Sequence, residues 1–281
     1  MNKIRRSPVI TGFLFILAIV LLFAGSVGGT QAALQVYSND YLSALNMKNI
    51  GVTLLENGEF VSWRNYGQDT DTEFKEKPNG NLVLEHLKED PSFQIGKKYP
   101  FKITAKNTGD IYQYLRITVY KYWVKVGDDE EFDIKGWFHG LSNNTEKQLD
   151  DSKFSPATIH LGYGGEEGFN SSAWILDSSA HTAERDVYYY VGTLSPEVED
   201  PDHAETEPLF DTLWIDPSVT KTAVKTEEGN VTTYTYTYDG CGFLVVVEVD
   251  AVQTHNARAA IRSAWGLQDE SIMNQMNIPA E

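Results

Sequence analysis

Six histidines, one cysteine and a large excess of carboxylates are the groups from which this chain could build reactive chemistry. The histidines are His86, His139, His160, His181, His203 and His255, and no two lie within five residues of each other. A zincin-type protease needs two histidines one helical turn apart with a glutamate between them, so that both rings reach one metal. That spacing is absent, and no metal site is expected. Cys241 lies in Asp239-Gly-Cys-Gly242, ahead of an apolar run. A nucleophilic thiol needs a base in hydrogen-bond reach, and none is near it in sequence. It reads as a small hydrophobe at a turn. Gly162-Tyr-Gly-Gly165 lacks the lysine and helix of a phosphate-binding loop and reads as a mobile loop. The acidic stretches 128–131 and 197–207 could hold calcium weakly, but neither has the alternating ligands and glycine of a calcium loop. They read as solvated surface. No catalytic residue and no cofactor is expected.

The tyrosines are better placed. Residues 112–124 form a long β-branched and aromatic run, and side chains alternate across a strand. Tyr112, Tyr114, Tyr120 and Tyr122 therefore share one face with Arg116 and Thr118, while Leu115, Ile117 and Val119 take the other. The first face is either a contact surface for carbohydrate or protein, or ordinary cross-strand tyrosine pairing.

Hydrophobic alternation and turn residues place the strands that hold these groups. Strands are expected at 50–54 and 60–63 around the Asn57-Gly58 turn, and at 98–105, paired with 112–124 through Asn107-Thr-Gly-Asp110. Shorter strands are expected at 173–176 and 186–191. The run 232–238 should form a hairpin with 243–249, the latter a central strand buried on both faces. Residues 256–266 read as a helix, with Asn256 as N-cap and Gly266 as the stop. Hairpin connections without a βαβ pattern give an all-β, antiparallel sandwich of jelly-roll or immunoglobulin-like type with a short C-terminal helix. It is one domain, 33–281, with loop insertions between about 125 and 230.

The first 32 residues differ in kind. Lys3, Arg5 and Arg6 precede an apolar run, 9–24, and small residues end in Thr30-Gln-Ala32. That order is a secretory signal peptide cut between Ala32 and Ala33. Export places the protein outside the cell, and membrane contact is expected only through the uncleaved leader. The 40 acidic and 23 basic residues give a net charge of −17, which repels nucleic acid.

Three stretches resemble the TasA/camelysin family of exported bacterial proteins: the junction Gly28-Gly-Thr-Gln-Ala-Ala33 with the strand after it, the region 99–120, and the tail 247–257 running into Ala264-Trp-Gly266. The junction looks like that of substrates of a SipW-type signal peptidase. The resemblance implies a jelly-roll surface protein that polymerises into biofilm-matrix fibres by donor-strand complementation. The freed N-terminal segment of one subunit would complete the sheet of the next, satisfying edge hydrogen-bonding groups. The donor here is 33–41, with Leu34, Val36 and Tyr41 as anchors. The expected partners are other copies or related matrix subunits, and the signal peptidase during export. The first alternative is an exported glycan- or protein-binding module. The second is a camelysin-like surface metalloprotease, against which the histidine spacing speaks.

Overall fold

The computed structural model describes residues 49–66, 75–76, 93–125, 149–221, 223–228 and 231–280, all within one compact unit, Lys48–Glu281. In chain order the strands are β1 (Gly51–Glu56), β2 (Glu59–Asn65), β3 (Lys75–Glu76), β4 (Tyr99–Asn107), β5 (Gln113–Lys125), β6 (Ile159–Tyr163), β7 (Glu166–Glu167), β8 (Trp174–Leu176), β9 (Arg185–Tyr190), β10 (Phe210–Ile215), β11 (Ala223–Glu228), β12 (Val231–Tyr236) and β13 (Cys241–Gln253). Helices α1 (Ala257–Trp265) and α2 (Glu270–Gln275) follow. Every pairing among the described residues is antiparallel. One sheet has the order β3-β2-β1-β4-β10-β6-β7, a second β13-β5-β9-β8, and β11-β12 stand as a separate ribbon. The fold is the expected all-β sandwich.

Leu115, Ile117 and Val119 of β5 do point into the layer between the sheets. There they join Val247 and Val249 of β13, Val52 and Leu54 of β1, and Phe101 and Ile103 of β4. Tyr188 of β9 and Phe210 of β10 meet edge-on from opposite sheets, their ring centroids 5.5 Å apart. Each such side chain, fully buried, contributes roughly 1.5–3 kcal/mol. The Asn57-Gly58 turn forms with φ of 54° and 86°, the doubly positive conformation that closes a two-residue hairpin.

Two expected hairpins are instead crossings between sheets. β4 pairs with β1 and β10, and β5 with β13 and β9. The corner between them is held against the start of β1. The Thr108 amide donates to the Gly51 carbonyl and the Asp110 amide to that of Asn49. Gly109 is required there, because a Cβ would lie 2.4 Å from the Asn49 carbonyl oxygen. Likewise β12 pairs with β11, not with β13. β13 runs its full length in register with β5, from Cys241↔Lys125 to Gln253↔Gln113, and ends the four-stranded sheet as an edge strand.

The stretch read as loop insertions supplies β6 to β10, which build parts of both sheets. Gly162-Tyr-Gly-Gly165 is the end of β6 and its tight turn into β7, not a loose loop. A Cβ at Gly162 would meet the Glu166 carbonyl at 2.5 Å and the Trp214 ring at 2.7 Å. Cys241 is partly buried, packed on the end of the core beside Trp123 and Ile159.

The C-terminal cover is a pair of helices where one was expected. Asn256 precedes α1 in the left-handed region without a side-chain cap, and Gly266 ends it at φ 70°. Asp269 caps α2 by accepting from the Ser271 amide at 2.7 Å. Ala257, Ile261, Met273 and Met276 bury against Tyr114, Tyr189 and Val252 on the outer face of the four-stranded sheet. Among the described residues no helix is long and apolar enough to cross a membrane.

The open edge of β13 is clasped by the other sheet. Arg64 of β2 donates to Asp250 Oδ1, Tyr66 donates its hydroxyl to the same oxygen at 3.2 Å, and Arg116 donates to Oδ2. The Ala251 amide donates to the Tyr66 hydroxyl at 3.3 Å. Asp250→Ala leaves two half-buried guanidiniums facing each other without their anion. It should destabilise the fold by about 3 kcal/mol, the low end for a broken buried pair because both arginines keep some solvent. The urea midpoint should fall at unchanged slope. A midpoint equal to that of the parent would show the clasp to be dispensable.

Candidate functional site

Register decides what lies beside what on the outer face of the four-stranded sheet. Three rows cross β13, β5 and β9: Asp250–Arg116–Tyr189, then Glu248–Thr118–Val187, then Val246–Tyr120–Arg185. On β5 and β9 the outer rows carry the long side chains of Arg116, Tyr189, Tyr120 and Arg185, and the middle row has short ones at Thr118 and Val187. Long, short, long makes a depression. Walls deepen it on two sides: the turn 177–180 after β8, and residues 265–269 at the junction of α1 and α2. The resulting cleft encloses about 670 Å³, within the range of small-ligand sites.

Hydrogen bonds fix one wall and aromatic contacts hold the other. Asp177 accepts from the Ser179 amide at 2.9 Å, the Ser179 hydroxyl at 2.6 Å and the Ala180 amide at 3.2 Å. Arg185 donates to the Ala180 carbonyl through Nη2 at 3.0 Å and Nε at 3.3 Å. On the other side Trp265 lies with its ring 5.7 Å from that of Tyr189. The Arg116 guanidinium sits 5.5 Å from the Trp265 centroid, a cation–π contact.

The charges in the cleft are perturbed by their setting. Burial, followed by the neighbouring Asp177, pushes the Tyr189 phenol up to about 12. Burial, then Glu248, raises Tyr120. Burial also raises Glu248 against the opposing pull of Arg64 and Arg116. Nothing here resembles a nucleophile with its base. Among the described residues no group of three or more histidines, cysteines or carboxylates could hold a metal. His160 bridges Glu167 and Asp216, at 2.6 and 3.1 Å, His181 meets Asp186, and His203 meets Asp200.

The four tyrosines read as one face are separated by what covers them. Tyr112, 41% exposed, lies just before β5. Tyr114 is 3% exposed because the helical pair sits on it. Tyr122 is 5% exposed, packed with Val124, Leu244 and Val246. Only Tyr120, of the four, lines the cleft, stacked on Tyr122 at 6.1 Å. Arg116 and Thr118 line it too, as their shared face implies. Glu248, Arg185 and Trp265 went unread. Alternation within β13 and β9 carried that signal, but only once both strands are known to flank β5. The acidic stretch 197–207 is partly engaged by β4, through Lys106 to Glu197 at 2.8 Å and Thr104 to Glu205 at 2.7 Å. Ala32, Ala33, Leu34, Val36, Tyr41 and the acidic run 128–131 lie outside the described residues.

Compared with known proteins, the chain matches no family model, no curated protein and no solved structure. The likeness to the TasA/camelysin family accordingly rests on the quoted sequence stretches.

The raised Glu248 gives a signed test. Its folded pKa lies above the unfolded one, so ionising it in the folded state opposes folding. That cost is absent below the unfolded value and complete above the folded one. The stability of Glu248→Gln relative to the parent should therefore improve between pH 4 and pH 7, read from denaturant midpoints. A difference that is flat with pH would mean that Glu248 is not buried as described.

Proposed function

We propose that this chain is an exported cell-surface or matrix protein that acts through contact instead of bond-making, and that its cleft on the four-stranded sheet takes a glycan. The observation that carries this reading is the three-row floor between two fixed walls. A sugar ring presents an apolar C–H face and a rim of hydroxyls. Tyr120 and Trp265 supply aromatic surface with a polar tip. Arg116, Arg185, Thr118 and Glu248 supply donors and acceptors for the hydroxyls. A rigid strand-built floor also costs little ordering on binding.

Tyr120→Ala should weaken retention on the matching polysaccharide by about tenfold, the equivalent of about 1.4 kcal/mol. Tyr112→Ala, outside the cleft, should leave it unchanged. Affinity electrophoresis against a panel of neutral, acidic and amino-sugar polymers reads both. Equal retention of the two variants, or of none of the polymers by the parent, would sink the reading.

A second reading, fibre assembly by strand addition, is favoured by the ribbon. In β12, residues 232–236 are exposed, with Tyr234 at 59% and Tyr236 at 50%. Residues 231–236 carry no charge, proline or glycine, and such β-forming segments recruit further strands. The donor on this reading remains 33–41. Deleting it should leave a folded monomer and abolish filaments in electron micrographs; filaments at unchanged yield would exclude that donor.

A further inference from the structure

Five ionised groups line the cleft, and all but one already make hydrogen bonds within the protein. Asp177 is consumed by the Ser179 and Ala180 amides and the Ser179 hydroxyl, and it accepts from the Tyr189 hydroxyl at 3.4 Å. Asp269 accepts from the first amides of α2. Arg116 is bound to Asp250 and lies against Trp265. Arg185 is held by the Ala180 carbonyl. Glu248 stands apart. It is in the middle row, beside short Thr118, and accepts no hydrogen bond from a described residue. The cations nearest in effect, Arg64 and Arg116, act on it through space, and both donate to Asp250 instead.

A half-buried carboxylate that no protein donor engages has lost part of its hydration, and it gains from a ligand that brings a donor. The chain as a whole adds to this, since its charge of −17 draws cations toward the cleft and repels anions. An anionic sugar would meet three carboxylates, Asp177, Glu248 and Asp269, against two arginines. A neutral sugar would offer hydroxyls, which satisfy the acceptor but not the charge. A protonated amine satisfies both, because it brings three donors and a positive charge to one point.

Resting on the glycan reading above, we infer that the ligand of this cleft is an amino sugar with a free, protonated amine, received by Glu248. Tyr120 flanks Glu248 diagonally on β5 and takes the ring. The arginines of the outer rows take ring hydroxyls with the N–H groups that they do not spend on Asp250 and Ala180.

The test is calorimetric titration of the purified protein with the β-1,4-linked disaccharide of glucosamine and, separately, with its N-acetylated counterpart, at mildly acidic pH. The free amine should bind at least about tenfold more tightly, and Glu248→Gln should abolish that preference. Glu199→Gln removes the same charge from an exposed site and should keep it. Equal binding of the two disaccharides by the parent overturns the amine inference while leaving a glycan cleft. Binding of neither overturns both readings. A preference lost equally in Glu248→Gln and Glu199→Gln marks general attraction to an acidic protein and overturns the inference. The comparison of the two sugars on the parent stands even if Glu248→Gln fails to fold.

Discussion

The arrangement depends on one buried carboxylate at an open sheet edge. β13 is the last strand of its sheet, and an unprotected edge strand of thirteen residues is a template for unwanted pairing. Asp250 solves this by collecting Arg64 from the seven-stranded sheet, Tyr66 from just beyond its strand β2, and Arg116 from its own sheet. The two sheets are thereby tied at that edge by directional bonds, in addition to the packing of the interlayer core. Hydrophobic burial supplies most of the free energy. The clasp supplies alignment.

Alignment in turn creates the cleft. Because β13 and β5 run in register over their whole length, Glu248 must stand beside Thr118 and Asp250 beside Arg116. A one-residue slip would move every one of these side chains to the opposite face. The same slip would push Val247 and Val249 out of the core, so the apolar pattern of β13 enforces the polar pattern on its reverse. The charged floor and the buried layer are two readings of one alternation.

That alternation was legible in the sequence within a single strand, and little beyond it. Leu115, Ile117 and Val119 inward, Arg116, Thr118 and Tyr120 outward, followed from period two alone. The Asn57-Gly58 turn and the Gly266 helix stop were equally local. What could not be read was partnership. Asn107-Thr-Gly-Asp110 and Asp239-Gly-Cys-Gly242 have hairpin chemistry, yet each lies at a crossing, because turn residues specify that a chain reverses and not which sheet receives it. β6 was invisible for another reason. Its Gly162 is demanded by the Glu166 carbonyl of the paired β7 and by Thr212 and Trp214 of β10, and a glycine chosen by its sheet neighbours looks like a loop. The fate of Tyr114 and Tyr122 was hidden in the same way, since only the covering elements decide whether an aromatic face is surface or second core.

The helical pair has a consequence for how the outer face divides. α1 and α2 cover one end of the face through Ile261, Met273 and Met276, and α1 stops where Gly266 turns the chain. α1 ends at Trp265, whose ring lies beside Tyr189 at the cleft. Gly266 halts it at φ 70°, a conformation that side chains other than glycine adopt at a cost. Asp269 then starts α2 by capping, and the few residues between become a wall of the cleft. The opening is thus set by backbone conformation at two helix ends. Arg258 locks that geometry from beneath, donating to Pro279 and Ile278 carbonyls at 2.8 and 3.1 Å and to Asn274 at 2.7 Å. Caps and a buried arginine thus hold that wall of the cleft through hydrogen bonds within the protein itself.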